Sequence, residues 1–143
     1  MLLLAPELLK AIQAHGEQAY PEEGAGFLLG EPGENRRVVS IQPLSNAREG
    51  AARQTRYLIT PEEYLKAEQE ADRLKLTLLG VFHSHPDHPN LPSDYDREWA
   101  QPYFSYMITS VQKGKALASR SWRLMEDRSS FFEEPIQIES TLN

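Results

Sequence analysis

Apolar positions follow two rhythms along the chain. Leu8, Leu9, Ile12 and Ala19 recur at helical spacing between Pro6 and Tyr20, with Pro6 suited to a first turn and Pro21 ending the helix. "TPEEYLKAEQEADRLK" (60–75) predicts a second helix, in which Thr60 caps, Pro61 takes the first position and Glu63 stands three residues after the cap. "SDYDREWAQ" (93–101) predicts a third, short helix that begins at Ser93. Strand-like runs lie at 26–30, 36–44, 55–60, 103–111, 115–125 and 131–140. "LTLLGVFHSH" (76–85) is apolar without alternation until its end, the pattern of a strand buried on both faces. "EPGEN", "SNAREGAARQ" (45–54) and "PDHPNLP" read as turn and loops.

Strands mixed with three helices predict an α/β layer domain, and 143 residues suit one domain spanning 1–143. No helix separates the last three strands, so that part of the sheet is expected to be antiparallel. The chain has no cysteine, which excludes thiol catalysis and cysteine zinc knuckles. It carries 21 Asp and Glu against 15 Lys and Arg, a balance that disfavours nonspecific nucleic-acid binding. Pro6 and Glu7 interrupt the opening apolar run, and no stretch approaches the ~20 apolar residues of a membrane span. The expectation is a soluble, cytoplasmic protein.

Three of the four histidines, His83, His85 and His88, fall within one short stretch at the end of the apolar run. On a strand, residues i and i+2 face the same side ~6.5–7 Å apart, so His83 and His85 can converge on one ion. Asp96, from the next helix, can supply a third and anionic ligand. Three protein ligands and an open position for water form the pattern of a catalytic zinc site, although histidine and carboxylate suit several divalent ions. Ser93 and Asp96 also have the spacing of a capping box, a purely structural role. His88 and Asp87 read as loop residues, Asp94 is out of register, His15 has no assigned function, and Ser84 faces the opposite side as a structural residue. An H-x-H pair alone is weak. The full order, H-x-H-x7-S-x2-D, arises by chance on the order of a few times in ten thousand for this composition, which decides for chemistry.

The pattern is similar to the signature of the JAMM (MPN-plus) metalloproteases, small bacterial type. That signature adds an upstream glutamate before an apolar strand. "YPEEGAGFLLG" supplies Glu23 in register and Glu22 one residue out, and the residues alone do not choose between them. The resemblance implies a cytidine-deaminase-like JAMM/MPN fold, a mixed sheet sandwiched by helices. It implies one zinc per chain held by His83, His85 and Asp96. Glu23 would be the general base on the attacking water, and Ser93 would stabilise the oxyanion. The implied reaction is hydrolysis of the peptide or isopeptide bond after the C-terminal Gly-Gly of a ubiquitin-like or sulfur-carrier protein of the ThiS or MoaD type. Such a tail would enter as an extended strand beside the metal strand, with loop 45–54 as a groove wall. Two other readings remain at this stage: a metal-free scaffold of the same fold, and a nucleic-acid-linked protein like the RadC group.

Overall fold

The computed structural model describes residues 1–44 and 59–139. The opening apolar run forms a short strand, β1 (Leu2–Leu4), and α1 (Pro6–Ala19) follows. The chain continues as β2 (Ala25–Glu31), β3 (Arg36–Leu44), α2 (Pro61–Leu74) and β4 (Thr77–Pro86). Next come α3 (Asp94–Trp99), β5 (Ser105–Gln112), β6 (Lys115–Leu124), β7 (Phe131–Glu134) and β8 (Ile136–Ile138). The bounds of the helices follow the expected caps. Thr60 and Glu63 form a reciprocal capping box at the start of α2. The strand expected at 55–60 and the loop 45–54 lie outside the described residues, apart from Ile59 and Thr60, which are not in a strand.

The strands form one mixed sheet in the order β7-β6-β5-β4-β2-β3-β1-β8. β4 sits inside it, antiparallel to β2 and parallel to β5. This corrects the expected path of a substrate tail. From Gly80 to His83 both flanks of the histidine strand carry partners, so no further strand can add beside that stretch. A second correction concerns the run at 131–140. Residues 131–134 and 136–138 are extended, but Pro135 divides them between the two edges of the sheet: β7 pairs antiparallel with β6, and β8 pairs parallel with β1. Proline has no N–H to give a ladder, which makes 135 a natural crossing point. Its carbonyl accepts the Leu2 N–H at 2.8 Å. One segment therefore bridges both margins, and the sheet must curl to let them meet.

Two apolar layers cover the sheet. α1 packs Ile12 against Leu2, Leu4, Leu28, Phe82 and Met107 on one face. α2 packs Ala67 and Ala71 against Phe27, Leu29, Val81 and Tyr106 on the other. The alternation within β4 changes phase at a bulge, where Leu28 pairs with Gly80 but Leu29 pairs with Leu78. Leu79 is the extra residue. Its side chain joins the α1 layer while Leu78 and Val81 join the α2 layer, and the phase beyond the bulge assigns His83 and His85 to the α2 side. At the end of the sheet remote from those histidines, buried Arg36 donates to the Leu79 carbonyl (3.0 Å) and the Ser105 hydroxyl (3.2 Å), and it lies 4.7 Å from the Tyr103 ring centroid.

At Gly80 the backbone of β5 leaves no room for a side chain on β4. A Cβ there would lie 1.9 Å from the Ser105 carbonyl oxygen, a backbone atom with nowhere to go. Gly80→Ala is expected to lower stability by about 2–3 kcal/mol, as overpacking does in a filled core. Urea unfolding would show this as a lower midpoint with an unchanged slope.

Candidate metal centre

The centre forms where the β2–β4 ladder runs out. The last paired residues are Ala25 and His83. One step further, the Ser84 N–H donates to the Gly24 carbonyl at 3.0 Å, and the Gly24 N–H donates to the Ser84 hydroxyl oxygen at 2.8 Å. The serine side chain thus takes over where the strand pairing stops. Ser84 faces α1, as expected from alternation: a Cβ on Gly16 would lie 3.2 Å from its own. The structural role assigned to Ser84 is therefore a specific one, because it fixes Gly24 and with it the neighbouring Glu23.

Glu23 is 4% exposed. A ligand atom of Glu23, one of His83 and one of His85 all lie within 4.8 Å of one another. Among the described residues the cluster takes Glu23 and not Glu22. Asp96 completes it from the first turn of α3. Its Oδ1 is 3.3 Å from His83 Nε2, its Oδ2 is 3.2 Å from His85 Nε2, and the two ring nitrogens are 3.1 Å apart. Asp96 also closes a capping box with Ser93. Its Oδ2 accepts the Ser93 N–H at 2.8 Å, while the Ser93 hydroxyl oxygen accepts the Asp96 N–H at 3.1 Å. The structural and the chemical readings of this pair hold together, since the cap is what aims the carboxylate at the rings. The Ser93 side chain uses an acceptor site for this, which leaves its hydroxyl proton available to donate.

The donor chemistry fits a divalent ion. His85 Nδ1 is 2.8 Å from the Pro89 carbonyl oxygen. A carbonyl only accepts, so Nδ1 carries a proton and Nε2 is the ring atom that faces Asp96. His85 Nε2 lies 3.2 Å from Asp96 Oδ2, a spacing at which both atoms can reach one cation. The spacing agrees as well. Tetrahedral bonds of ~2.0–2.1 Å place ligand atoms ~3.3–3.4 Å apart, close to the 3.1–3.3 Å found here. Burial pushes the His83 imidazole below its ordinary pKa against the pull of Asp96. Burial also opposes the charge on Asp96, but the neighbouring His83 and His85 rings and the Ser93 N–H outweigh it. They hold that carboxyl well below the usual carboxylate range. A neutral imidazole beside an ionised carboxylate is the protonation state that ligation requires.

The remaining candidates stand apart. Asp87 is exposed and accepts hydrogen bonds from the Tyr20 hydroxyl (2.6 Å) and the Lys113 N–H (2.7 Å). His88 and Asp94 are exposed. His15 packs edge-on against Phe82, with ring centroids 5.7 Å apart, on the α1 side of the sheet. Sequence reasoning gave Ser84 a structural role without its partner and passed over the Pro89 carbonyl. The first has the sequence signal of a small polar residue between two ligands, and the second has none, because a backbone carbonyl leaves no mark in a sequence.

Residues 5–125 match the family model described as prokaryotic homologs of the JAB domain. A probable TtuB-protein conjugate cleaving protease from Thermus thermophilus is 36% identical over 116 residues, covering 78% of this chain and 74% of that protein. A CysO-cysteine peptidase from Mycobacterium tuberculosis is 28% identical over 142 residues, covering 96% and 91%. A solved structure of a protein from Desulfitobacterium hafniense is similar with a TM-score of 0.85 and 31% identity, covering 99% of this chain and 95% of that one. With its curled mixed sheet between α1 and α2 and its Glu-His-His cluster at the end of the central strand, the chain belongs to the prokaryotic JAB-domain family and has the JAB/MPN fold.

Proposed function

We propose that this protein is a zinc-dependent peptidase or isopeptidase that hydrolyses the bond after the C-terminal Gly-Gly of a ubiquitin-like or sulfur-carrier protein. The observation that carries this reading is the cluster itself: two ring nitrogens and a buried carboxylate at ligand spacing, with a second buried carboxylate, Glu23, within 4.8 Å of the rings. The relatives' names support the substrate class, since each describes the cleavage of a bond made to a protein, TtuB or CysO.

In this reading His83, His85 and Asp96 hold the zinc. When bound, the ion polarises the scissile carbonyl and brings the pKa of water toward about 7. Glu23 takes the proton of the attacking water and passes it to the leaving amine. Its backbone is fixed through Gly24 and Ser84, so the carboxylate meets the water without first having to be ordered. Ser93 keeps a donor proton for the oxygen that gains negative charge. With both flanks of β4 occupied, the tail approaches over the strand's end. Among the described residues, an apolar groove of about 650 Å³ between α2 and α3, lined by Tyr64, Leu65, Tyr95, Trp99 and Phe104, is a candidate to hold part of it. The chain acts as one domain of 143 residues in this scheme, and no helix among the described residues is long and apolar enough to cross a membrane.

Glu23→Gln is expected to lower kcat by ~10²–10⁴-fold, the usual contribution of a positioned general base, with zinc content unchanged. Turnover equal to wild type on a carrier–Gly-Gly adduct would remove the hydrolase reading. Metal analysis should find zinc at about one ion per chain, as closed by three protein ligands and a water. Chelation should abolish cleavage and zinc should restore it, whereas full activity in the chelated sample would exclude a metal role. Ser84→Ala leaves the buried Gly24 N–H without its acceptor, at a cost of about 1–3 kcal/mol. It should also depress kcat more than it raises KM, and Ser84→Thr, which keeps the hydroxyl, should recover most of the loss in steady-state assays.

A further inference from the structure

The loop between β4 and α3 contains the acceptor for His85, and it has no regular backbone pairing of its own. Its conformation must come from elsewhere. The carbonyls on either side of Pro89 are each taken by a side chain from a neighbouring strand. His88 O accepts from the Ser110 hydroxyl at 2.6 Å, and Asn90 O accepts from the Trp122 indole N–H at 3.1 Å. The Asn90 amide in turn donates to the Ala118 carbonyl at 2.9 Å, and the Asp87 N–H donates to Val111 O at 2.7 Å. Ser110 is 5% exposed and pairs directly with His85 in the β4–β5 register. Pro89 has a fixed φ and no N–H, so the turning of its peptide plane is governed by the two carbonyls that flank it.

We propose that Trp122 and Ser110 clamp the Pro89 peptide and so hold His85 in the tautomer that presents its Nε2 lone pair to the metal. The inference rests on the metal reading above and assigns to β5 and β6 a part in it that the ligands alone do not reveal. The Pro89 carbonyl can accept only while it faces the ring. When it turns away, the Nδ1 proton loses its partner and the other tautomer becomes accessible, with a proton on Nε2 that occupies the lone pair needed for ligation. Outer partners of this kind typically change metal affinity by ~10–100-fold. Trp122 and Ser110 are positioning residues: they touch the loop and neither the ion nor the substrate.

The test uses the full chain with Trp122→Phe, which keeps an aromatic ring and removes the donor, and Ser110→Ala, which removes the other. Zinc affinity is measured by competition with a chromogenic chelator. The ring nitrogens of His85 are followed by ¹⁵N NMR in the metal-free protein at about pH 8, where an ordinary imidazole is neutral. Each variant is expected to bind zinc about tenfold more weakly and the double variant up to about a hundredfold. The His85 signals are expected to move from one tautomer to a mixture. Leu117→Ala, an exposed side chain on the same strand as Trp122, serves as the control and should leave both readouts at wild type. Wild-type zinc affinity and an unmixed Nδ1–H tautomer in both variants would overturn the clamp. If Trp122→Phe does not fold, Ser110→Ala decides by the same two measurements. A wild-type chain that binds no zinc would end the metal reading, and the metal-free ring spectra would still decide the clamp on their own.

Discussion

The pairing between β2 and β4 determines what can meet at the candidate centre. An antiparallel ladder fixes which residues stand opposite one another, and here its final rung joins Ala25 to His83. Glu23 is two residues beyond that rung and His85 two residues beyond it on the other strand, so the ladder brings a carboxylate and two imidazoles to one end of the sheet. A slip of one residue would turn both histidines to the α1 face, where Phe82 and Ser84 now pack. The bulge at Leu79 lets the strand satisfy both apolar layers in its first half and still present the rings to the α2 side in its second. The serine hydroxyl that receives the Gly24 N–H extends the pairing just far enough to include the glutamate.

Asp96 shows how one side chain can serve two ends of the same argument. Through the capping box it shares with Ser93 it contributes to an N-terminal cap worth about 1 kcal/mol to a helix that is only six residues long. As an ionised carboxylate that is 8% exposed beside two imidazoles, it carries a desolvation cost far larger than that. The cap supplies direction and the rings supply the reason for the burial. In the equivalent box of α2 the acid is half-buried: Glu63 accepts from the Thr60 N–H and hydroxyl and, among the described residues, has no imidazole beside it.

Much of this was legible in the sequence because it depended on short-range rules. The period-two placement of His83 and His85, the cap at Thr60, the start of α3 at Ser93 and the bounds of β3 all follow from local chemistry. The long-range matters were not legible. Nothing local tells that "LLL" pairs as a strand with residues 36–37 and 136–138, or that the run at 131–140 changes partners at Pro135. Alternation could place Ser84 on the opposite face from the ligands, but not show that Gly24 would be there to meet it. The occupied flanks of β4 were hidden for the same reason. A strand that reads as buried can lie beside any partner, and only the topology says that Gly80–His83 are paired on both flanks.

The segment that crosses from β7 to β8 has a consequence for how the protein opens. In most open sheets the outermost strand can peel away by itself, at a free-energy cost well below that of global unfolding. Here, lifting residues 131–138 would strip the partner from β6 and from β1 in the same event, and it would bare Leu2 and Leu124 together. The two margins of the sheet therefore form one cooperative unit. Amide exchange at Leu4 and at Leu124, far apart in the chain, should share a single protection factor.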